Sequence, residues 1–67
     1  MIEIVHSVSE AKLYGRIADV SRVARCRYVV KRYEYKEPGV WHEHSPVRIV
    51  GKAKAIAYAN DFVERRL

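Results

Sequence analysis

The chain has 67 residues, 49% hydrophobic and 31% charged, with 13 Lys plus Arg against 8 Asp plus Glu and a formal net charge of +5. That length leaves room for one domain, residues 1–67, rather than a multidomain enzyme, and the composition is that of an ordinary globular domain, not a disordered or membrane-spanning one. The charge is local: Arg16 to Lys36 holds seven basic and two acidic residues while the remainder holds six of each, the asymmetry of a chain that meets phosphates or an acidic surface.

In chain order, Ile2, Ile4 and Val5 predict a brief first strand ending near His6. Ser7-Val8-Ser9-Glu10 has the spacing of a capping box and opens a predicted helix over about 8–22, in which Leu13, Ile17, Val20 and Ala24 recur at intervals of four, three and four. Gly15 weakens that helix by about 1 kcal/mol relative to alanine. From Arg25 to Lys36 a run rich in Tyr, Val and Arg reads as a long strand, Glu37-Pro38-Gly39 as its turn, and Val40 to Val50 as the returning strand with a kink at Ser45-Pro46. This is a hairpin over about 25–50. A second helix follows over about 52–66, with Ile56, Ala59, Val63 and Leu67 on one stripe and Phe62 beside it. The predicted fold is therefore α+β, in the order β-α-β-β-α, an antiparallel sheet covered by two helices.

With the turn at Pro38-Gly39, cross-hairpin partners place Tyr28 opposite Ile49, Val30 opposite Val47, Tyr33 opposite His44 and Tyr35 opposite His42. Glu34 then meets Glu43, a like-charge pair, and an L-Pro-Gly turn fits a two-residue hairpin poorly, so a register moved by one is the alternative. In either register Tyr33 and Tyr35 share a face, as do His42 and His44.

The single cysteine, Cys26, forms no internal disulfide and points to a reducing, cytoplasmic setting, where it reads as a small buried strand residue. No leader pattern or long apolar run signals export or membrane insertion. A small core without staples makes a homodimer an expectation. His42 and His44 have strand spacing compatible with a metal ion, but no tight four-ligand pattern accompanies them, so neither metal nor cofactor is expected. No Ser, Cys or carboxylate is placed by the sequence to make them catalytic, and the chain is not read as an enzyme.

The order helix, antiparallel strands, helix, with Gly51-Lys52-Ala53-Lys54 opening the last helix, resembles a double-stranded-RNA-binding domain in topology and two lysines, without that family's long three-stranded sheet or its histidine-bearing loop. Tyr28 to Phe62 is similar to the strand, strand, alanine-rich helix pattern of the arm-binding domains of phage integrases. Neither resemblance assigns a family.

Two functional readings follow. In the first the protein is a small nucleic-acid-binding accessory or regulatory protein: Arg16, Arg22, Arg25, Arg27, Lys31, Arg32, Lys36, Lys52 and Lys54 contact phosphates and Tyr33 and Tyr35 stack on bases, with DNA and RNA not distinguished. In the second it is a protein-binding regulator or inhibitor, for instance virally encoded, that docks a cationic face and Trp41 onto an acidic partner.

Overall fold

The structure is a computed structural model that describes residues 3–10, 15–37 and 39–66. Strands β1 (Glu3–Ser9), β2 (Arg16–Ala24), β3 (Arg27–Glu37), β4 (Val40–Glu43) and β5 (Val47–Val50) precede one helix, α1 (Lys52–Val63). The strands form one antiparallel sheet in the order β1-β2-β3-β4, with β5 also on β3, so that β4 and β5 lie end to end along the same edge of the long central strand. The β-α-β-β-α order with two covering helices is thus incorrect: the chain is mostly antiparallel sheet with a single C-terminal helix.

The expected helix over about 8–22 is replaced by the antiparallel β1–β2 pair. Its apparent capping residues do other work. The Ser7 hydroxyl donates across the strands to Asp19 Oδ1 at 2.7 Å, and Glu10 Oε1 accepts from the Arg16 backbone N–H at 2.9 Å, closing the connection between the two strands. Gly15 permits that closure, because a Cβ there would stand 2.9 Å from the Cβ of Glu10. The spacing that suits a helical stripe at Ile17, Val20 and Ala24 also contains a strand alternation, Arg16, Ala18, Val20, and the β-branched Ile17, Val20 and Val23 favour the extended form once β3 supplies hydrogen bonds. Lys12 and Leu13, which belonged to the expected helix, lie outside the described residues.

The hairpin of β3 with β4 and β5 forms, and its base has the expected pairs, Tyr28 with Ile49 and Val30 with Val47. Toward the tip the register moves by one. Tyr33 pairs with Glu43, Glu34 with His42 and Tyr35 with Trp41, which removes the Glu34–Glu43 opposition. The step occurs where His44, Ser45 and Pro46 stand opposite only Lys31 and Arg32, since proline cannot donate to the ladder and the extra residue is absorbed there. Gly39 has φ +77°, the value required at the third position of a type II turn. Pro38 lies outside the described residues.

One face of the sheet is covered by α1. Ala18 and Val20 of β2, Tyr28 and Val30 of β3, and Ala55, Ala59, Phe62 and Val63 of α1 form the buried core, bordered by Val5, Val8, Ile49 and Tyr58. The buried alanines let the helix axis approach the sheet, and Phe62 fills the space at the helix end. Leu67, expected on the helical stripe, is outside the described residues. No described element covers the opposite face, which presents Ile17, Asp19, Lys31, Tyr33, Tyr35, Trp41 and Glu43. No helix among the described residues is long and apolar enough to cross a membrane.

Candidate functional site

The candidate cations separate by their place on the sheet. Arg16 and Arg32 fall on the helix-covered face. Arg16 Nη1 donates to the Phe62 carbonyl at 3.0 Å and its guanidinium lies 4.7 Å from the Phe62 ring centroid, with Glu34 Oε2 3.8 Å from its Nε. That places a cation on the carbonyl end of α1, where the helix dipole favours it. Arg32 lies over the Tyr58 and Phe62 rings, each at 5.6 Å, and its Nη2 donates to the Ser45 carbonyl at 2.9 Å, bracing the break between β4 and β5. Both arginines are committed within the fold.

A second group lies at the other end of the sheet. Arg22, Arg25, Arg27, Arg48, Lys52 and Lys54 are all exposed. The β2–β3 turn and the start of α1 are tied together by the Gly51 N–H, which donates to the Cys26 carbonyl at 2.8 Å, and Arg27 pairs in register with Val50. Gly51 has φ +100°, a conformation that admits glycine and strains other residues. Helix α1 begins there without a side-chain cap and without an acidic residue in its first turn, so its first amides and positive dipole end face outward beside Lys52 and Lys54. Arg27 and Arg48 also border a shallow depression of about 410 Å³ with Val23, Val29 and Val50. Arg48 was not a candidate on sequence grounds, because it lies outside both the basic run and the start of the last helix; its strand position, between the inward residues Val47 and Ile49, was the available signal.

Lys31 and Lys36 stand apart from this group. Lys31 is exposed on the open face opposite Asp19, and Lys36 is exposed near the hairpin tip beside Glu37. Cys26 is not a buried strand residue: it occupies the exposed β2–β3 turn at φ +58°, where reversal of the chain requires positive φ.

Tyr33, Tyr35 and Trp41 assemble on the open face, away from the cations of the basic end, with Lys31 the cation nearest along β3. The Tyr35 and Trp41 rings are stacked at 4.4 Å with 8° between their planes, and Tyr33 meets Trp41 at 6.2 Å and 85°. Trp41 is 53% exposed. Tyr33, Trp41, Ile17, Asp19 and Glu43 line a depression of about 500 Å³. Ile17, Tyr33 and Glu43 form one cross-strand row through β2, β3 and β4, which sets Glu43 beside Tyr33, while Asp19, two residues along β2 from Ile17 and opposite Lys31, reaches it diagonally from the other side. Burial, and then the charges of Glu43 and Asp19, hold the Tyr33 hydroxyl above its ordinary pKa. Tyr33 thus has two carboxylates, Asp19 and Glu43, as well as Lys31 near it on the open face.

The histidines gather on the helix-covered side, where the His42 and His44 rings meet at 4.9 Å. His44 Nε2 donates to Glu34 Oε1 at 2.9 Å and its ring packs on Phe62 at 5.4 Å, while His6 Nε2 donates to Asn60 Oδ1 at 3.2 Å on α1. The His44 hydrogen bond, ahead of the nearby Arg16 charge, leaves the Glu34 carboxyl below its ordinary pKa despite its partial burial. Among the described residues no three His, Cys, Asp or Glu side chains converge as metal ligands. Comparisons with protein families, with characterised proteins and with solved structures return no match.

Proposed function

We propose that the protein binds the phosphate backbone of a nucleic acid through the end of the sheet formed by the β2–β3 turn, β5 and the start of α1. The observation that carries this reading is the placement of six exposed cations, Arg22, Arg25, Arg27, Arg48, Lys52 and Lys54, at the one end of the sheet where α1 begins without a side-chain cap, with the turn and the helix joined by the Gly51 to Cys26 hydrogen bond. Glu3, in register with Arg22, is the acidic residue among them. Amide donors, the helix dipole and exposed cations act on phosphate oxygens in the same direction. The reading takes neither Arg16 and Arg32, whose guanidinium groups hold the helix to the sheet, nor a stacking role for Tyr33 and Tyr35, because Asp19 and Glu43 beside them repel phosphate.

The test is a salt series with labelled random-sequence duplex DNA and single-stranded RNA. Affinity should fall steeply between about 50 and 200 mM salt, with a log–log slope of about −5 on duplex if all these cations release counterions. Changing Arg25, Arg27 and Lys52 together to Glu should reduce affinity about a hundredfold at low salt while the circular dichroism spectrum is retained. Salt-independent binding, or a folded triple variant that binds like the parent, rejects the reading.

A further inference from the structure

The aromatic depression on the open face is independent of the basic end and suits a ligand of opposite sign. We infer that Ile17, Asp19, Tyr33, Trp41 and Glu43 form a docking site for an arginine side chain presented by a basic segment of a partner protein.

The first argument is charge complementarity. Asp19 and Glu43 flank Tyr33, and among the described residues neither is joined to a cation by an ion pair; Asp19 accepts only the Ser7 hydroxyl, and Lys31, its cross-strand neighbour, is exposed. The second is ring geometry. Tyr33 and Trp41 stand nearly perpendicular, at 85°, as two walls of a corner, and Tyr35 stacked on Trp41 fixes the indole in place. A cation entering that corner meets the negative face of an aromatic ring and a carboxylate together. Guanidinium satisfies both better than an ammonium ion does: it is planar, weakly hydrated, stacks on rings and gives carboxylates paired N–H donors, whereas lysine keeps a tightly held hydration shell.

The openness of the site decides between a free small molecule and a chain. Small-molecule sites enclose most of their ligand, but this depression lies on a sheet face with Trp41 and Glu43 exposed at its rim. A lone guanidinium compound there would remain mostly in water. A peptide backbone running across the same face adds contact area over the exposed aromatic surface, and partially exposed tryptophan and tyrosine are frequent anchors for such contacts. On this inference the partner that meets Trp41 is basic where the sequence predicts an acidic one, since the charges beside the indole are carboxylates.

Trp41 is the chain's one tryptophan, so its emission reports the site directly. The probe is a short peptide with arginines at alternate positions, compared with its lysine and citrulline counterparts and with free agmatine. The arginine peptide should shift Trp41 emission saturably, and the uncharged citrulline peptide should bind about tenfold more weakly. Asp19→Asn combined with Glu43→Gln should weaken the arginine peptide to a similar degree, and Glu43→Gln alone, at an exposed position, serves if the double variant does not fold. Equal binding of arginine and citrulline peptides overturns the proposal, as does equal binding of the lysine peptide. Agmatine binding as tightly as the peptide makes the ligand a small cation. Emission that changes with protein concentration alone makes the occupant a second copy of this chain, and either result also overturns it.

Discussion

At its Arg27 end, β3 runs between exposed cations of the β2–β3 turn and β5; six residues on, at Tyr33, it runs between Ile17 and Glu43, with Asp19 in the same depression. The two positions are about 20 Å apart along one strand. A net charge of +5 summed over the chain conceals this separation. It arises because strand alternation turns Arg16 and Arg32 inward onto Phe62, which removes two cations from the surface of the aromatic half and leaves the half-buried Asp19 and the exposed Glu43 on its outward face. The same alternation leaves Arg27 and Arg48 outward at the other end. Surface electrostatics in a sheet this small is therefore decided by which face the helix covers.

The largest expected effect tests whether the two regions share a foundation. Phe62 packs beneath Arg16, Arg32 and His44 and belongs to the core, so Phe62→Ala should destabilise the fold by about 3 to 5 kcal/mol. Stability of roughly 0.05 to 0.15 kcal/mol per residue leaves little after such a loss. Urea unfolding followed by circular dichroism and by Trp41 emission should show both signals collapsing together at a lower midpoint. Two separated transitions would mean that the hairpin tip and the basic end fold independently.

A smaller effect is confined to the basic end. Gly51→Ala places a Cβ on a backbone at φ +100°, with a strain of about 1 to 3 kcal/mol, although nothing lies within 4 Å of that Cβ. Relief of that strain would displace the Gly51 N–H from the Cys26 carbonyl and separate the helix start from the turn. Nucleic-acid affinity should fall while the arginine-peptide response of Trp41 stays within about twofold, because the aromatic corner touches neither element. A parallel loss of both activities would show that the two regions are coupled.

How much of this was legible in the sequence differs between the same two regions. The base of the hairpin was legible because Tyr28, Val30, Val47 and Ile49 pair apolar with apolar, and the cations of the turn and helix start were visible as charges beside Gly51. The β1–β2 pair was not, since a stripe at four, three and four and a serine three residues before a glutamate satisfy a local helical template. What decides that segment is non-local: the close approach of Gly15 to Glu10 and the ladder offered by β3. The aromatic corner was half legible. Tyr33 and Tyr35 were known to share a face, but Asp19 and Glu43 reach it only through the strand order β2-β3-β4 and the one-residue step at Ser45-Pro46, neither of which follows from local composition.

The smallest effect lies behind the aromatic half, on the helix-covered side, where Glu34 receives the His44 Nε2–H at 2.9 Å and lies near Arg16. Its pKa is lowered in the fold, chiefly by the His44 hydrogen bond, so the unfolded chain takes up the proton first as pH falls. The stabilisation is therefore fully present above the ordinary glutamate range and is lost as pH drops through the lowered value, not as pH rises. Both side chains keep some solvent contact, 28% for His44 and 21% for Glu34, so screening limits the contribution to about 1 kcal/mol or less. Glu34→Gln should accordingly lower the urea midpoint slightly at neutral pH and flatten its decline between about pH 5 and 3. Because Glu34 braces the β3–β4 half, the loss should register in Trp41 emission while phosphate binding at neutral pH is unchanged. If the variant and the parent lose stability in parallel on acidification, the acid sensitivity resides in another carboxylate, and Glu10, which pairs with Arg65 at 3.0 Å, is the next to replace.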